Sequence, residues 1–369
     1  MKITAAVTSA PGAPFAMQEL TLDDPRADEI LVRIVAVGLC HTDLAFKDQP
    51  VGVTHPAVLG HEGAGVVEKV GADVTKVAPG DRVLLTFRSC GACPRCLAKD
   101  PCYCAQLPVM NFIGMRPDGS KAIHGADGDV SSNFFGQSSF ASHALAYERN
   151  VVKLEAGLPL ATYAPLGCGV QTGAGGILRS LNCPPGSGLV VIGTGTVGLS
   201  AVMAGKIRGC SPIIAIDLLA ERRALALKMG ATHALDPAAA DIVAAVRAIA
   251  PLGVDNVLDT SGHVPALTAA LGYLAPKGTI GLVGVPNQSD AALSIPLGLA
   301  ITFGFGVRGI IEGDSNPDDF IPELISLHRA GKFPFDRLIT NYPFDQINQA
   351  IDDQHHGKAV KVVLLVGEE

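Results

Sequence analysis

Four cysteines lie close together in the sequence, at Cys90, Cys93, Cys96 and Cys104. Thiolates two residues apart on a turn can converge on one tetrahedral Zn²⁺ ion. Four sulfur ligands close the coordination shell, so a zinc bound here would be structural and would leave no position for a substrate. Cys102 lies in the same segment and competes with Cys104 as the fourth ligand. A cluster of free or redox-active thiols is the alternative, and the two-residue gaps make it the weaker one.

A second set of soft and basic side chains is spread over three glycine-flanked fragments, which contain Cys40, His61 with Glu62, and Cys168. Each residue taken singly is more often part of a core than a metal ligand. Together, two thiolates and one imidazole form the ligand set of a catalytic zinc that keeps one position open. Glu62 is adjacent to His61 and is a candidate fourth ligand that a substrate could displace.

A glycine-rich turn, Gly193-x-Gly195-x-x-Gly198, follows the short apolar run 189–192 and precedes a predicted helix from Leu199 to Arg208. This is the context that the dinucleotide-binding fingerprint requires. The first glycine permits the tight turn, the second lets the backbone approach a pyrophosphate, and the third allows close packing of helix on strand. The helix N-terminus favours the negative phosphates. Thr196 and Val197 complete the candidate phosphate-binding loop.

Asp217 stands at the end of the next predicted strand, 19 residues past Gly198. A carboxylate there can accept hydrogen bonds from the adenosine ribose, and its charge repels a 2′-phosphate, which favours NAD over NADP. Arg222 is a further candidate cofactor contact. Because Arg222 and Arg223 are both near Asp217, NADP stays an alternative cofactor. A glycine-rich turn without a ligand is the alternative reading.

The order of predicted elements indicates two kinds of structure. Residues 1–160 contain many short strands, which is typical of an antiparallel β domain, with an irregular loop over 111–139. From about residue 165, strands alternate with helices, which indicates a parallel sheet. One strand of this part is predicted over 279–285, and the chain ends in a strand over 360–366 that could return to the first domain.

Composition excludes several classes of protein. The net charge of −7 and the estimated pI of 5.8 argue against nucleic-acid and anionic-membrane partners. No apolar run reaches the roughly 20 residues of a transmembrane helix, and the N-terminus has no signal-peptide pattern. We therefore expect a cytoplasmic protein, in which nine cysteines indicate metal binding or catalysis before disulfides.

With these motifs assembled, the chain resembles the zinc-dependent medium-chain alcohol dehydrogenases along nearly its whole length. The resemblance implies an α/β fold in which a GroES-like antiparallel β domain, residues 1–165 and 311–369, is interrupted by a Rossmann domain with a doubly wound parallel sheet, residues 166–310. It also implies two zinc ions per subunit, NAD, a small-molecule alcohol or aldehyde, and a homodimer or homotetramer formed near 280–310.

The resemblance implies roles for individual residues. The catalytic zinc ligands would be Cys40, His61 and Cys168, with Glu62 binding transiently, and Cys104 is selected over Cys102 at the structural zinc. Thr42 would hydrogen-bond the substrate alcohol, and Asp43 would orient the zinc-bound imidazole. The implied cofactor contacts include Thr172 at the nicotinamide, Lys361 at the pyrophosphate, and Val285. His41 replaces an arginine of the better-known pattern, and Ala45 replaces the histidine that ends its proton relay.

Within the family, the sequence around Phe134 and Phe135 resembles the aryl (benzyl) alcohol dehydrogenase branch. These residues and Phe87 are candidates for an aromatic substrate pocket, although ordinary core packing explains them as well. We expect reversible oxidation of a primary, aryl or allylic alcohol to the aldehyde. Two alternatives stay open: a glutathione-dependent formaldehyde dehydrogenase, for which only Arg116 is available within 111–118, and a quinone reductase-like or non-catalytic member of the fold.

Overall fold

A computed structural model describes residues 1–49, 52–239, 241–286, 288 and 290–368, and the chain divides into two compact units. The first unit comprises Met1–Gly169, Asn316–Ile325 and Asp336–Glu369, and the second comprises Val170–Ser315 and Ser326–Phe335. These units differ from the predicted domain boundaries in the assignment of 166–169, 311–315 and 326–335. The boundaries of the domains themselves stay a prediction.

The strands are β1 (Lys2–Thr8), β2 (Phe15–Leu22), β3 (Glu29–Gly38), β4 (Ala57–Val58), β5 (Glu62–Val70), β6 (Arg82–Leu85), β7 (Ile123–Gly125), β8 (Gly128–Val130), β9 (His143–Tyr147), β10 (Val151–Lys153), β11 (Leu189–Ile192), β12 (Ile213–Ile216), β13 (His233–Leu235), β14 (Val254–Asp259), β15 (Leu274–Leu282), β16 (Gly306–Gly309), β17 (Ile339–Pro343) and β18 (Lys361–Leu365). The helices are α1 (His41–Asp48), α2 (Pro94–Leu97), α3 (Leu107–Asn111), α4 (Leu160–Tyr163), α5 (Gly169–Gly175), α6 (Thr196–Arg208), α7 (Ala220–Met229), α8 (Ile242–Ile249), α9 (Val264–Leu271), α10 (Leu297–Phe303), α11 (Pro317–Arg329) and α12 (Ile347–His355).

The first unit consists mainly of two sheets. One has the strand order β4-β1-β2-β7-β8, and the other has the order β10-β6-β5-β3-β18-β17 with β9 also pairing with β3. Their strand pairs are antiparallel except for β17 with β18. The central strand β3 is apolar along almost its whole length because it is paired on both edges and buried. The final strand, β18, joins this sheet, as the sequence predicted.

The second unit contains one six-stranded parallel sheet with the order β13-β12-β11-β14-β15-β16. Numbered within the sheet, this is the order 3-2-1-4-5-6 of a doubly wound dinucleotide-binding fold. The inner strands β11 and β12 are entirely apolar and buried, as expected where helices cover both faces. Of the helices that the structure describes, none has the length and apolar character that crossing a bilayer requires.

Three predicted elements need correction. The segment 111–139 is not wholly irregular, because it contains the antiparallel hairpin of β7 and β8, whose Ile123 and Val130 are buried. Asp127-Gly128 is the turn signal that could have predicted it, and Gly128 has a positive φ of 125°. The helix predicted from Leu199 begins three residues earlier, at Thr196. The strand predicted to reach Val285 ends at Leu282.

Candidate active site

Four donor side chains from separate parts of the first unit converge at one place. Cys40 is the residue before α1, His61 immediately precedes β5, Glu62 is the first residue of β5, and Cys168 immediately precedes α5. One ligand atom from each of the four lies within 4.8 Å of the others. All are buried except Cys40, which is half-buried. The structure thus brings together the set that the sequence proposed for a catalytic metal.

Asp43 fixes the orientation of the imidazole in this cluster. Its Oδ1 lies 2.8 Å from Nδ1 of His61 and also accepts the Gly60 N–H at 3.0 Å. Its Oδ2 accepts the Cys40 N–H at 3.0 Å. The other imidazole nitrogen, Nε2, is buried and makes no hydrogen bond of normal geometry in the described part of the chain. A buried nitrogen of this kind, beside two thiols, is what a zinc ligand requires.

The electrostatics of the cluster favour a cation. A hydrogen bond with Cys168, aided by His61 and Lys361, lowers the pKa of Cys40 well below that of a free thiol. Burial alone would lower the pKa of His61, but Asp43 and Cys40 raise that pKa well above the usual value. The two shifts have different causes: hydrogen bonding and positive neighbours favour the Cys40 thiolate, whereas the negative charges of Asp43 and Cys40 favour a charged imidazole. A thiolate beside a carboxylate-supported imidazole is a ligand set that suits a divalent metal ion.

Glu62 is held from two directions. Its Oε1 accepts the Gly169 N–H at 3.0 Å, and its Oε2 forms an ion pair with Nζ of Lys361. Lys361 is only 1% exposed and donates a second hydrogen bond to the Leu39 carbonyl oxygen at 2.9 Å. Gly38 makes room for the carboxylate, since a Cβ there would lie 1.9 Å from Glu62 Oε2. No motif predicted this ion pair, which joins residues from opposite ends of the chain.

Helix α1 places Thr42 beside the cluster. Its hydroxyl oxygen lies 3.8 Å from Sγ of Cys40, and the residue is half-buried. This helix was not predicted, although Asp43 at its third position, which accepts the Cys40 N–H, is a helix-start signal. His41 is exposed and Ala45 is half-buried on the same helix.

Aromatic side chains surround the imidazole. The ring of Phe135 stacks on His61 with centroids 4.4 Å apart, and the edge of Phe134 approaches at 5.7 Å. Phe134, Phe135 and Phe87 are at most 5% exposed. They therefore pack as core, with Phe134 and Phe135 forming one wall of the cluster, and their predicted contact with substrate stays a prediction. Gln137 was not predicted; it fixes the start of β5 by donating to the His61 carbonyl oxygen at 2.9 Å.

The second cysteine cluster lies in the segment 90–104. The sulfur atoms of Cys90, Cys93, Cys96 and Cys104 lie within 4.8 Å of one another. Backbone N–H groups point at these sulfurs, and those of Cys96 and Ala105 lower the pKa of Cys93 to about 6. The fifth cysteine of the segment, Cys102, is buried away from the group and its Sγ lies 3.2 Å from Asp100. This geometry fits a closed four-sulfur zinc site.

The glycine-rich turn of the second unit has the predicted geometry. Gly193 has a positive φ of 80°, and a Cβ on Gly198 would lie 1.9 Å from the Gly193 carbonyl oxygen. Helix α6 starts directly after Gly195, with Thr196 and Val197 in its first turn. The turn therefore presents a helix N-terminus with close backbone packing, which is suited to a pyrophosphate.

Asp217 follows β12 at the rim of a cavity of about 740 Å³. Its carboxylate accepts the Thr194 N–H at 2.7 Å and the Leu219 N–H at 2.9 Å. Gly193 and Arg222 also line the cavity, whose walls are otherwise mostly apolar. A cavity of this size beside a phosphate-binding turn fits the adenosine half of a dinucleotide.

The remaining cofactor candidates are divided between the units. Thr172 and Val285 belong to the second unit, where Thr172 is buried and Val285 is 54% exposed. His41 and Lys361 belong to the first unit. Their predicted contacts with a nicotinamide dinucleotide stay predictions, and Lys361 has the additional partner Glu62 described above.

Comparisons with known proteins match both parts of the chain. Residues 26–156 match the alcohol dehydrogenase GroES-like domain family, and residues 196–329 match the zinc-binding dehydrogenase family. A geraniol dehydrogenase from Castellaniella defragrans is 47% identical over 364 residues, covering 98% of this chain and 97% of that protein. An NDMA-dependent alcohol dehydrogenase from Amycolatopsis methanolica is 36% identical and covers 99% of both chains.

Solved structures agree with these relatives. The crystal structure of benzyl alcohol dehydrogenase from Acinetobacter calcoaceticus superposes with a TM-score of 0.95, at 41% identity over 99% of both chains. An alcohol dehydrogenase zinc-binding domain protein from Burkholderia ambifaria gives a TM-score of 0.96 at 47% identity over 99% of both chains. The predicted fold class is confirmed: a GroES-like domain is combined with a Rossmann-type domain, the architecture of an enzyme that uses zinc, a nicotinamide cofactor and small-molecule substrates. The chain belongs to the zinc-dependent medium-chain alcohol dehydrogenase family.

Proposed function

We propose that this protein is an NAD-dependent dehydrogenase that reversibly oxidises a primary aryl or allylic alcohol to the aldehyde. One observation carries the proposal: Cys40 and Cys168 lie beside the buried imidazole of His61, whose Nε2 has no hydrogen-bond partner among the described residues. Because the chain belongs to the alcohol dehydrogenase family, we interpret these three side chains as the ligands of a catalytic zinc. Two thiolates and an imidazole are three protein ligands, which leaves one position for an alcohol oxygen.

Cys40, His61 and Cys168 would hold the catalytic zinc, with Glu62 as a ligand that can be displaced. When bound, the zinc supplies a Lewis acid that polarises the alcohol oxygen, and the nicotinamide supplies the hydride acceptor. Asp43 holds the imidazole with Nε2 toward the thiols. Thr42 accepts the alcohol proton and passes it outward. Because Ala45 cannot carry a proton, the relay ends at water or another base.

The cluster of Cys90, Cys93, Cys96 and Cys104 would hold a second zinc in each subunit. It has four sulfurs and no place for substrate, so its role is to stabilise a segment with little core of its own. A family member without catalytic metal, such as a quinone reductase-like protein, would have no use for both clusters. The presence of both clusters of potential zinc ligands therefore supports the alcohol dehydrogenase assignment over that alternative.

The preference for NAD rests on Asp217. Its negative charge at the cavity rim repels the 2′-phosphate of NADP, while Arg222 on the same rim is the group that would attract it. We expect the Asp217→Gly variant to shift the ratio of kcat/KM for NAD to that for NADP toward NADP by about tenfold or more. An unchanged ratio in steady-state assays with both cofactors would remove Asp217 from cofactor selection.

The substrate class is supported by the relatives and by the aromatic wall. One relative is named for geraniol and one solved structure for benzyl alcohol, and both alcohols carry the hydroxyl on a carbon next to a π system. Phe135, which stacks on His61 and is 5% exposed, is the aromatic face against which we expect a flat substrate to bury its apolar area, and the fully buried Phe134 packs against it.

A panel of alcohols tests the proposed reaction. Purified enzyme is assayed with benzyl, cinnamyl, geranyl and short aliphatic alcohols, each with NAD and with NADP. We expect kcat/KM for the aryl and allylic alcohols with NAD to exceed that for ethanol by about 100-fold or more. Equal rates with ethanol, or activity with none of the alcohols, would refute the proposed substrate class.

The structure weakens the glutathione-dependent alternative. Arg116, the arginine available for the carboxylates of glutathione, is 2% exposed. Its guanidinium is engaged by Glu29 at 2.7 Å and by Asp23 at 2.7 Å. Formaldehyde oxidation that depends on added glutathione would restore this alternative.

We also propose a cytoplasmic homodimer or homotetramer. The cytoplasm keeps the thiols of both metal clusters reduced. The predicted interface near 280–310 includes the sheet edge β16 and the apolar helix α10, on which Leu297 is 77% and Ile301 is 82% exposed. Residues 287 and 289 of that range lie outside the described part of the chain. An exposed apolar helix at a sheet edge is a self-complementary surface that a second copy would cover.

A further inference from the structure

Two cysteines of the second unit stand apart from both metal clusters. Cys183 lies before β11, and Cys210 follows the end of α6 directly after Gly209. Both are buried, at 0% and 5% exposure, whereas the cysteines of the two metal clusters all belong to the first unit. Buried cysteines are ordinarily inert packing, so the contacts of this pair decide whether it is reactive.

Hydrogen bonds bring the two cysteine segments together. The Gly186 N–H donates to the Gly209 carbonyl oxygen at 2.7 Å. The Nε of Arg208, in the last turn of α6, donates to the Cys183 carbonyl oxygen at 2.7 Å. The segment that contains Cys183 therefore lies against the end of α6, where Cys210 follows.

The two thiols share a hydrogen bond, and it polarises them in opposite directions. This bond with Cys183 lowers the pKa of Cys210 to about 7, against the effect of burial. Ser187, whose Oγ lies 3.9 Å from the Cys210 Sγ, and the positive charge of Arg208 add to the effect, while Asp255 opposes it. The same bond raises the pKa of Cys183 well above that of a free thiol. At neutral pH the pair therefore contains a substantial fraction of Cys210 thiolate beside a protonated Cys183.

The position of the pair gives a small oxidant access to it. Gly209 and Ser211, the two neighbours of Cys210, are exposed, and so are residues 184–186 after Cys183. The thiols thus lie directly beneath the surface of the second unit. A thiolate whose pKa is near the ambient pH is also the most effective attacking group in thiol chemistry.

We propose that Cys183 and Cys210 are an oxidation site, at which hydrogen peroxide produces a reversible disulfide. The Cys210 thiolate attacks one peroxide oxygen, the O–O bond breaks, and uptake of one proton gives a sulfenic acid and water. The Cys183 sulfur then attacks the sulfenic sulfur. The S–S bond forms, the S–O bond breaks, and hydroxide leaves with the Cys183 proton as a second water. Two thiols are oxidised to one disulfide while one peroxide is reduced to two waters, and an external dithiol reverses the reaction.

The disulfide would close a loop that contains β11, the glycine-rich turn and all of α6. Closing a loop restricts the unfolded chain, whereas the folded chain already holds the two segments together. We therefore expect oxidation to stabilise the strand–turn–helix element against unfolding.

Peptide mapping of the full-length protein, with its bound metal, tests the inference. The protein is treated with increasing hydrogen peroxide, unfolded in N-ethylmaleimide to block the remaining thiols, and digested with trypsin. Cleavage after Lys206 and Arg208 separates the two cysteines, so the disulfide appears as a linked pair of peptides, residues 180–206 and 209–222. We expect this pair at a peroxide dose that leaves the metal content unchanged, and we expect dithiothreitol to abolish it. The melting temperature of the oxidised protein should rise by about 5 °C or more.

Single substitutions test the order of the two steps. Cys183→Ser should stop the reaction at the sulfenic acid, so that dimedone, a cyclic diketone that reacts with sulfenic acids, labels Cys210. Cys210→Ser should give neither a linked pair nor a label on Cys183. The control Cys102→Ser, which removes another fully buried cysteine, should form the linked pair as the wild type does.

Two results would overturn the proposal. If both peptides carry N-ethylmaleimide at every dose up to the one that releases metal, the pair is inert packing. If dimedone labels Cys183 in Cys210→Ser as fast as it labels Cys210 in Cys183→Ser, Cys210 is not the reacting thiolate. Neither result depends on which cofactor or alcohol the enzyme uses.

Discussion

At the scale of single residues, Asp43 connects three parts of the candidate zinc site. Its two carboxylate oxygens accept the N–H groups of Cys40 and Gly60 and hold Nδ1 of His61. It thereby fixes a thiol ligand, the turn before β5 and the imidazole ligand together. An asparagine has the same shape, but it carries no charge and would turn an NH₂ group toward one of these donors.

We therefore predict that Asp43→Asn lowers the zinc affinity of this site by about ten- to 100-fold. Competition with a fluorescent zinc chelator measures the affinity. The matched control is Asp48→Asn on the same helix, since Asp48 is exposed and lies outside the cluster. Zinc affinity that is equal in Asp43→Asn and wild type would show that the carboxylate does not support the metal.

Residue types and spacing were sufficient to nominate the members of both cysteine clusters and of the glycine-rich turn. They were not sufficient for Lys361. Its ion pair with Glu62 depends on β18 lying beside β3, a pairing between the two ends of the chain.

At the scale of elements, the segment from Cys90 to Cys104 is the one that we expect a structural metal to order. It contains the one-turn helix α2 and a short 3₁₀ turn, and Leu97 is 72% exposed. Few apolar contacts are available to order this segment, so four zinc–sulfur bonds would supply most of its stability.

Two substitutions distinguish the proposed fourth zinc ligand, Cys104, from the nearby Cys102. Cys104→Ser should reduce the zinc content from about two to about one per subunit and lower the melting temperature by about 5 °C or more. Cys102→Ser should keep both zinc ions, because Cys102 is directed at Asp100 and away from the cluster. Elemental analysis with calorimetry checks both. The opposite pattern would make Cys102 the fourth ligand.

Helix α6 allows a test of the glycine-rich turn. Because a Cβ on Gly198 would meet the Gly193 backbone oxygen at 1.9 Å, Gly198→Ala should cost about 3 kcal/mol and weaken NAD binding. In helix α10, a Cβ on Gly298 meets nothing within 4 Å. Gly298→Ala should therefore be neutral or stabilising by about 0.5–1 kcal/mol. Melting curves with and without NAD compare the two. A neutral Gly198→Ala would show that the turn is more adaptable than its geometry indicates.

The periodicity of the sequence predicted the long strands and helices because burial imposes regular patterns on them. Helix α1 was missed because its apolar residues form a single block, 44–46, between polar residues and so show no helical repeat. The hairpin of β7 and β8 was missed because its strands have only three residues each. Short elements are specified by capping and turn residues more than by periodicity.

At the scale of the whole molecule, the exposed apolar surface of α10 indicates self-association. We predict that the wild type sediments as a dimer or tetramer and that Ile301→Glu lowers its assembly state. Leu252→Glu is the control, because Leu252 is 84% exposed elsewhere in the second unit. Analytical ultracentrifugation distinguishes the species. A monomeric wild type, or equal effects of both variants, would exclude α10 as the interface.

Family and fold class could be predicted from the sequence because the motifs occur in a specific order over nearly the whole chain. The substrate could not, since Phe87, Phe134 and Phe135 are buried and serve the core as well as any pocket. Specificity among alcohols depends on small differences in cavity shape, which residue types alone do not determine.

Anomalous diffraction from crystals of the active enzyme, recorded on both sides of the zinc absorption edge, tests the proposed metal chemistry most directly. We predict two zinc peaks per subunit, one among Cys90, Cys93, Cys96 and Cys104, and one bonded to Cys40, His61 and Cys168. A fully active enzyme with no peak between Cys40, His61 and Cys168 would contradict the proposed function.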